Sequence, residues 1–382
     1  MHRCSHRISL SLAVLLAILA VAGCGSPPAA SGSVEPTAAG LPASTPGSAG
    51  IHVTDAAGRA VALPELPQRI VVAGRSSYMI LHLLYMFPEA RQRLVGMAKQ
   101  GETASDFLPL IDPGFQDKPT LEGGAGPEQI AALEPDLVLM KSAAVEQMSK
   151  SLDPLGISLA YVGLETPDQF FQDVANLGTM LGNQARAAEI SGFYQARLDR
   201  IQQSLAGLAE DDKPRVLLLE YSDRGNEVAV QVPARSWMQT IQVQLAGGAP
   251  VWLEAAQVSD GWTVTNLEQI ALWDPDQIYV VVWYALDPEQ VIASLHDDPQ
   301  WSKLKAVQND EIYAFPSDLY GWDTPEPRWL LGVTWLAGHI HPERFPDLDM
   351  TEEIYAFFGQ LYGMTRADVE ARILPKVHMD VQ

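Results

Sequence analysis

The chain has 382 residues and a formal net charge of −22, a balance unsuited to nucleic acid, whose binding rests on Lys and Arg neutralising phosphates. With 47% apolar and 8% aromatic residues it has the composition of a globular protein with a sizeable core. Its two cysteines, Cys4 and Cys24, both lie near the start, so no disulfide is available to the folded body.

Arg3, His6 and Arg7 form a short basic start, and Ile8 to Ala20 an apolar stretch too short to span a bilayer comfortably. Residues 1–23 therefore read as a signal peptide. It closes on Val21-Ala22-Gly23-Cys24, which looks like a bacterial lipobox, the pattern at which the cysteine is acylated and becomes the new N-terminus. Acyl chains contribute about 0.8 kcal/mol per buried methylene, so a multiply acylated Cys24 would hold the protein on a membrane surface. Ordinary secretion with Cys24 merely beside the cleavage site is the alternative. Residues 24–50 are rich in Pro, Ala, Ser and Gly without apolar periodicity, which predicts a flexible linker. No second long apolar run suggests a membrane span.

Beyond the linker, short β-rich runs alternate with helical patterns. "RIVVAG", "RLVGM", "LVLM" and "LAYVGL" fall in one half, and "RVLLLEY", "QIYVVVWYA" and "EIYAFP" in the other. The alternation predicts α/β units with buried parallel strands in two lobes, residues 51–165 and 209–382. Between them, 166–208 reads as an interdomain helix: Thr166-Pro167-Asp168 supplies a start, and Phe170, Phe171, Val174, Leu177 and Leu181 fall at helical spacing. Gly178, Gly182 and Gly192 weaken the case for one uninterrupted rod.

"EQIAALEPDLVLM", beginning at Glu128, recurs as "EQIALWDPDQIYV", beginning at Glu268, with no gap between the copies. In each, a helical turn carries a Glu, an acidic-Pro-Asp turn stops the helix, and a strand begins. Its place in the middle of each half suggests duplication or a shared two-lobed plan.

At these residues the chain resembles the bacterial solute-binding proteins of ABC importers, in the class with a rigid interdomain helix that handles iron-siderophore complexes, haem and cobalamin. Within it, the chain is most similar to the branch that includes molybdate and tungstate binders. The resemblance also rests on "VTDAAGRAVALPELPQRIVV", on "LAGG" at Leu245 to Gly248, on the pattern from Trp301 to Tyr313, and on "GWDTPEPRWLLGVTWLAGHIHPERFPDLD". It implies two Rossmann-like α/β lobes joined by a long helix with the ligand cleft between them, the class III periplasmic binding protein fold. It further implies no catalytic residue and no cofactor, a monomer, and an ABC permease with ATPase subunits as partners. By position, Glu128 and Glu268 take the place of the family's permease-docking carboxylates; favouring their own helix N-termini is the bland alternative.

Ligands of open α/β sheets lie at the C-terminal ends of the strands. The loop after "RIVV" offers Arg75, Ser76, Ser77 and Tyr78, with a guanidinium fork and helix-start N–H groups suited to an anion. Capping is the alternative for either serine. The matching loops offer Glu122 with Gly123 and Gly124, Arg235 with Trp237, Gly261 with Trp262, Trp283 with Tyr284, and Tyr320, Trp322 and Asp323. All nine Trp residues lie between Trp237 and Trp335; Trp273, Trp329 and Trp335 read as core, whereas Trp237, Trp262 and Trp322 read as an aromatic wall for a chelate. Two arginines and a Trp-lined cleft suit an anionic metal complex or an oxyanion.

Rival readings are a secreted hydrolase using a carboxylate pair, a zinc or manganese binder, and a non-transport lipoprotein. No G-x-S-x-G, H-E-x-x-H, P-loop or G-x-G-x-x-G pattern is present. His339 and His341 are the one close histidine pair and read as a helix end, while His52, His82, His296 and His378 are scattered.

Overall fold

The computed structural model describes residues 50–99, 107–122, 124–142, 145–223, 228–258, 261–282 and 286–380. Cys24 and the linker as far as residue 49, and Gly123, Trp283 and Tyr284 of the expected site, lie outside the described residues.

The folded body opens with an antiparallel hairpin of β1 (Ile51–Thr54) and β2 (Ala60–Leu63). Asp55 builds its turn, accepting hydrogen bonds from Ala57 N, Arg59 N and Arg59 Nε. Arg59 then crosses to the Leu159 carbonyl and lies over the Tyr161 ring. The "DAAGR" pattern is thus a clamp that fixes the hairpin to the first lobe.

That lobe runs β3 (Ile70–Val72), α1 (Ser77–Leu84), α2 (Ala90–Arg93), β4 (Leu94–Ala98), α3 (Leu108–Ile111), β5 (Thr120–Leu121), α4 (Pro127–Ala131), β6 (Leu137–Lys141), α5 (Val145–Leu152) and β7 (Ser158–Val162). Its sheet has the order β5-β4-β3-β6-β7 and is parallel throughout. Helices cover such a sheet on both faces, which is why β3 is a continuous apolar run and β6 is apolar as far as Met140, with every position of both strands buried, Lys141 included.

Residues 166–208, expected as one interdomain helix, form two: α6 (Pro167–Leu181) and α7 (Gln184–Ser204). Gly182 adopts φ 74°, a left-handed conformation that ends α6, and the Asn183 side chain caps α7 by accepting from Arg186 N. The 21 residues of α7 extend about 31 Å at the helical rise. Arg186 pins it, donating to the carbonyls of Met86 in the first lobe and of Gln360 and Leu361 near the C-terminus.

The second lobe runs β8 (Arg215–Ser222), β9 (Ala229–Val232), α8 (Met238–Leu245), β10 (Ala249–Pro250), β11 (Thr263–Thr265), α9 (Leu267–Trp273), β12 (Gln277–Val282), α10 (Pro288–Asp297), α11 (Lys305–Gln308) and β13 (Ile312–Ala314). Its sheet has the order β11-β9-β8-β12-β13, with β10 also on β8. The β8, β12 and β13 strands are parallel as expected; β9 and β11 join antiparallel, which the sequence pattern did not reveal.

The repeat is physical. In the first lobe Asp136 accepts from the Arg69 backbone N–H while the Arg69 guanidinium caps the carbonyls of Leu133 and Glu134. In the second, Asp276 accepts from Arg215 N while Arg215 caps Trp273 and Asp274. Each acidic-Pro-Asp turn passes through a left-handed residue, Glu134 or Asp274. The two Glu-bearing helices, α4 and α9, are therefore seated on their sheets in the same way.

The chain ends in α12 (Trp329–Ile340), α13 (Met350–Tyr362) and α14 (Arg366–Arg372). All twelve residues of α12 are buried, the pattern of a helix enclosed on every side. Residues of both lobes belong to one buried apolar cluster. A Cβ on Gly332 of α12 would lie 2.4 Å from the Trp322 carbonyl oxygen and 2.6 Å from Gln242 Nε2. Gly332→Ala is expected to lower unfolding free energy by about 1–3 kcal/mol. Gly192→Ala, on an open face of α7, should raise it by about 0.5–1 kcal/mol. Urea unfolding checks both, and equal responses would contradict this packing.

Candidate functional site

The β3 strand delivers Ala73 to Ser76 to the C-terminal edge of the first sheet. Arg75 is exposed and makes no hydrogen bond or ion pair among the described residues. Ser76 stands in the N-cap position of α1 with φ 55° and makes no side-chain cap; a non-glycine residue there costs about 1–3 kcal/mol. Ser77 is buried, and its neighbour Tyr78 turns toward the second lobe.

Tyr78 stacks on Tyr320, which follows β13, with ring centroids 4.7 Å apart and planes 11° from parallel. The C-terminal edges of the two sheets meet at this contact. Burial, together with the Glu326 and Asp323 carboxylates, pushes the Tyr78 hydroxyl above its ordinary range, with the Arg328 charge opposing.

Below the stack lies a fully buried ionic cluster. His82, one turn along α1 from Tyr78, sets Nδ1 3.0 Å from Glu326 Oε2. Glu326 Oε2 is 2.9 Å from Arg328 Nη1, and Arg328 Nε is 2.7 Å from Asp318 Oδ1. The Arg328 guanidinium also lies 4.9 Å from the Phe107 ring centroid and 5.5 Å from that of Tyr320. Burial would raise the Glu326 carboxyl, but Arg328 and His82 hold it below the usual range; Asp318 and Glu326 likewise keep Arg328 charged against its burial. Tyr194 of α7 donates to the Pro327 carbonyl and Tyr362 of α13 to that of His82, so spine and C-terminus close on the same point.

On the second lobe, Glu220 accepts from Gln231, and Asp323 from Gln239 Nε2 at 3.2 Å. Burial pushes the Asp323 carboxyl up to about 6; Glu220 and Glu326 add to this and the Gln239 hydrogen bond opposes it. Trp237 and Trp262 meet edge to face at 5.7 Å, both half-buried.

Three expectations change. Arg235 does not stand free opposite Arg75: its guanidinium holds the carbonyls of Glu254 and Ala256, each at 3.2 Å, and so shapes the loop beside Trp237. Trp322 is core, wholly buried, with its carbonyl bonded by Gln242 and Gly332 packed against it. Trp273, read as core, is half-buried, whereas Trp329 and Trp335 are core. Glu122 is exposed in its loop. Glu128 and Glu268 each occupy the second position of their helices, exposed and without an ion pair among the described residues.

His82, Glu326 and Arg328 were missed. Two signals pointed to them: the prolines of "TPEPR", which mark a rigid connector, and the i,i+4 spacing of Tyr78 and His82 on one helix face. Among the described residues no group of three His, Cys, Asp or Glu suits a metal ion. His339 faces the Asp380 carbonyl, with burial holding it down at about 4, and His341 faces that of Gly247.

The pattern of the periplasmic binding protein family matches residues 101–319. The molybdate-binding protein MolA of Haemophilus influenzae is 23% identical over 81% of this chain and 90% of its own length. Its molybdate-bound structure superposes with a TM-score of 0.67, at 19% identity, over 82% of this chain and 98% of that one. The iron-uptake system-binding protein of Bacillus subtilis is 23% identical over 80% of this chain and 90% of its own. A periplasmic solute binding protein from Veillonella parvula superposes with a TM-score of 0.67, at 21% identity, over 84% and 96% of the two chains.

Because the Asp323 carboxyl titrates at about 6 when folded and near 3.8 otherwise, the folded state holds a proton that the unfolded state has released between those values. Asp323 therefore favours folding below its unfolded value relative to neutral pH, and this contribution is lost as pH rises through about 6. Asp323→Asn is expected to gain stability over the parent above about pH 6 and to converge with it near pH 4. Parallel unfolding curves across that range would rule the burial argument out.

Proposed function

This chain belongs to the periplasmic binding protein family, and on that premise we propose that it is a lipid-anchored solute-binding protein whose cargo is a metal chelate held between the lobes. Family membership removes the hydrolase reading and makes an ABC permease the partner. The iron-uptake binding protein among its relatives favours a metal-bearing cargo, and molybdate, named for MolA, is the competing choice.

The observation that carries the choice is the aromatic lining: the Tyr78–Tyr320 stack joins the two sheet edges, and the Trp237–Trp262 pair lines the second lobe. Aromatic faces suit the planar and apolar groups of an organic chelator. A bare tetrahedral oxyanion instead needs several convergent donors. The described cleft loops supply one free guanidinium, Arg75, since Arg235 is committed to backbone carbonyls. Buried carboxylates at Glu220 and Asp323 further disfavour a naked anion on the second lobe. Arg75 then supplies a positive rim for the net negative charge of a chelate, with Glu122, exposed in its loop, as a further candidate.

Acylated Cys24 would tether the body, with residues 25–50 as the spacer. Cys24→Ser is expected to move the protein from the membrane to the soluble fraction; retention on the membrane would contradict the anchor. For the cargo, thermal unfolding of the lipid-free body is measured with ferric siderophores, haem, cobalamin, molybdate, tungstate, zinc and manganese. A ligand that binds only the folded state adds about 2.7 kcal/mol at a hundredfold excess over its Kd. We expect a rise with a chelate, weakened more than about tenfold, or about 1.4 kcal/mol, by Arg75→Ala. A rise with molybdate or tungstate alone would replace the chelate by an oxyanion, and an unchanged affinity would remove Arg75 from the site.

A further inference from the structure

Val228, Val258, Val264 and Leu272 are four of the large apolar side chains left exposed among the described residues, and all four belong to the second lobe, whose margin is the β11 strand that carries Val264. The β11 strand is the outermost of its sheet, with Val264 opposite Gln231 of β9 and 71% exposed. Val228 directly precedes β9, and Val258 is tied to the start of α8 through its carbonyl and Ser236 N. Leu272, 79% exposed, stands four residues after Glu268 on α9 and so shares its helix face.

Among the described residues, α4 of the first lobe carries no matching apolar side chain beside its Glu. Glu128 is seated by the Arg69–Asp136 arrangement just as Glu268 is by Arg215–Asp276, yet the residue four positions on is Ala132. The two tips share a mounting and differ in their outer surfaces.

Resting on the docking reading of Glu128 and Glu268, we propose that the permease contact is asymmetric. The second lobe docks through an apolar contact at Leu272 and Val264 beside the Glu268 carboxylate, and the first lobe through the Glu128 carboxylate alone. An exposed Leu272 on the same helix face as an unpaired carboxylate, next to an edge strand that exposes Val264, fits a partner surface that offers a basic group beside an apolar pocket. The net charge of −22 opposes a second copy of the chain or an anionic lipid surface as the occupant. Salt screens a rim carboxylate contact, whereas the burial of Leu272 and Val264 persists at high salt.

The test measures binding of the lipid-free chain to its cognate permease–ATPase complex in nanodiscs of neutral lipid, at low and high salt, with empty nanodiscs as control. The Leu272→Asn, Val264→Thr double variant is expected to bind about tenfold more weakly at both salt levels, a change of about 1.4 kcal/mol. Glu128→Gln, Glu268→Gln should weaken binding chiefly at low salt. Both variants alter exposed positions, and unchanged thermal unfolding confirms that they fold. Loss in the Glu variant with full binding by the apolar variant overturns the asymmetric contact and leaves the docking reading standing. Full binding by both overturns the docking reading itself. Binding of the parent to empty nanodiscs, or self-association abolished by the apolar variant, assigns the margin to lipid or to a second copy and overturns the proposal.

Discussion

The lobes are held together by a charge cluster from which water is excluded. Arg328 bridges Asp318 and Glu326, and Glu326 reaches His82 of the other lobe, with all four side chains at 0% exposure. Removing charges from water costs several kcal/mol per ion, recovered only when geometry and hydrogen bonding are good, so the cluster is weak as a source of net stability. It is strong as a constraint. Taking away one partner leaves a buried charge uncompensated, at a cost of about 3–5 kcal/mol.

Motion and capture follow from this constraint. The segment from Asp318 to Arg328 carries Tyr320 and Asp323, and α1 carries Tyr78 and His82, so the groups facing the cleft hang from the buried cluster. Tyr194 fastens α7 to the same segment, and Arg186 fastens α7 to the first lobe and the C-terminus. Segments fastened this way favour small rearrangements of the lobes over wide hinge opening. A preformed aromatic surface loses little conformational entropy when a ligand settles on it.

The repeated Arg–Asp arrangement fixes the helices that bear Glu128 and Glu268 on their sheets through backbone carbonyls and N–H groups, with Ile130 and Ile270 buried beneath them. Their outward residues are therefore open to change without cost to the fold, and the Leu272 and Ala132 positions differ accordingly. A surface that reports the geometry of both lobes to one partner needs two rigid mounts, and the buried cluster supplies the rigidity between them.

Short-range chemistry made much of this legible in the chain. Apolar runs marked the central strands, Thr166-Pro167 marked the start of α6, and the "EQIA" repeat with its acidic-Pro-Asp stop located α4 and α9 and their exposed carboxylates. These depend on residues a few positions apart, where periodicity, capping and turn preference act. Tertiary structure alone decided which cleft side chains are free. Arg75 and Arg235 look alike in sequence, yet one is unpaired and the other is spent on the Glu254 and Ala256 carbonyls. Trp322, between Gly321 and Asp323, reads as a loop wall and becomes core because α12 approaches it through Gly332. His82 and Glu326 are 244 residues apart, and no local pattern encodes a contact of that span. The sequence determined the elements and the two-lobed plan because those arise from neighbouring residues; the packing of distant segments decided the site because burial and partnership are properties of the assembled chain.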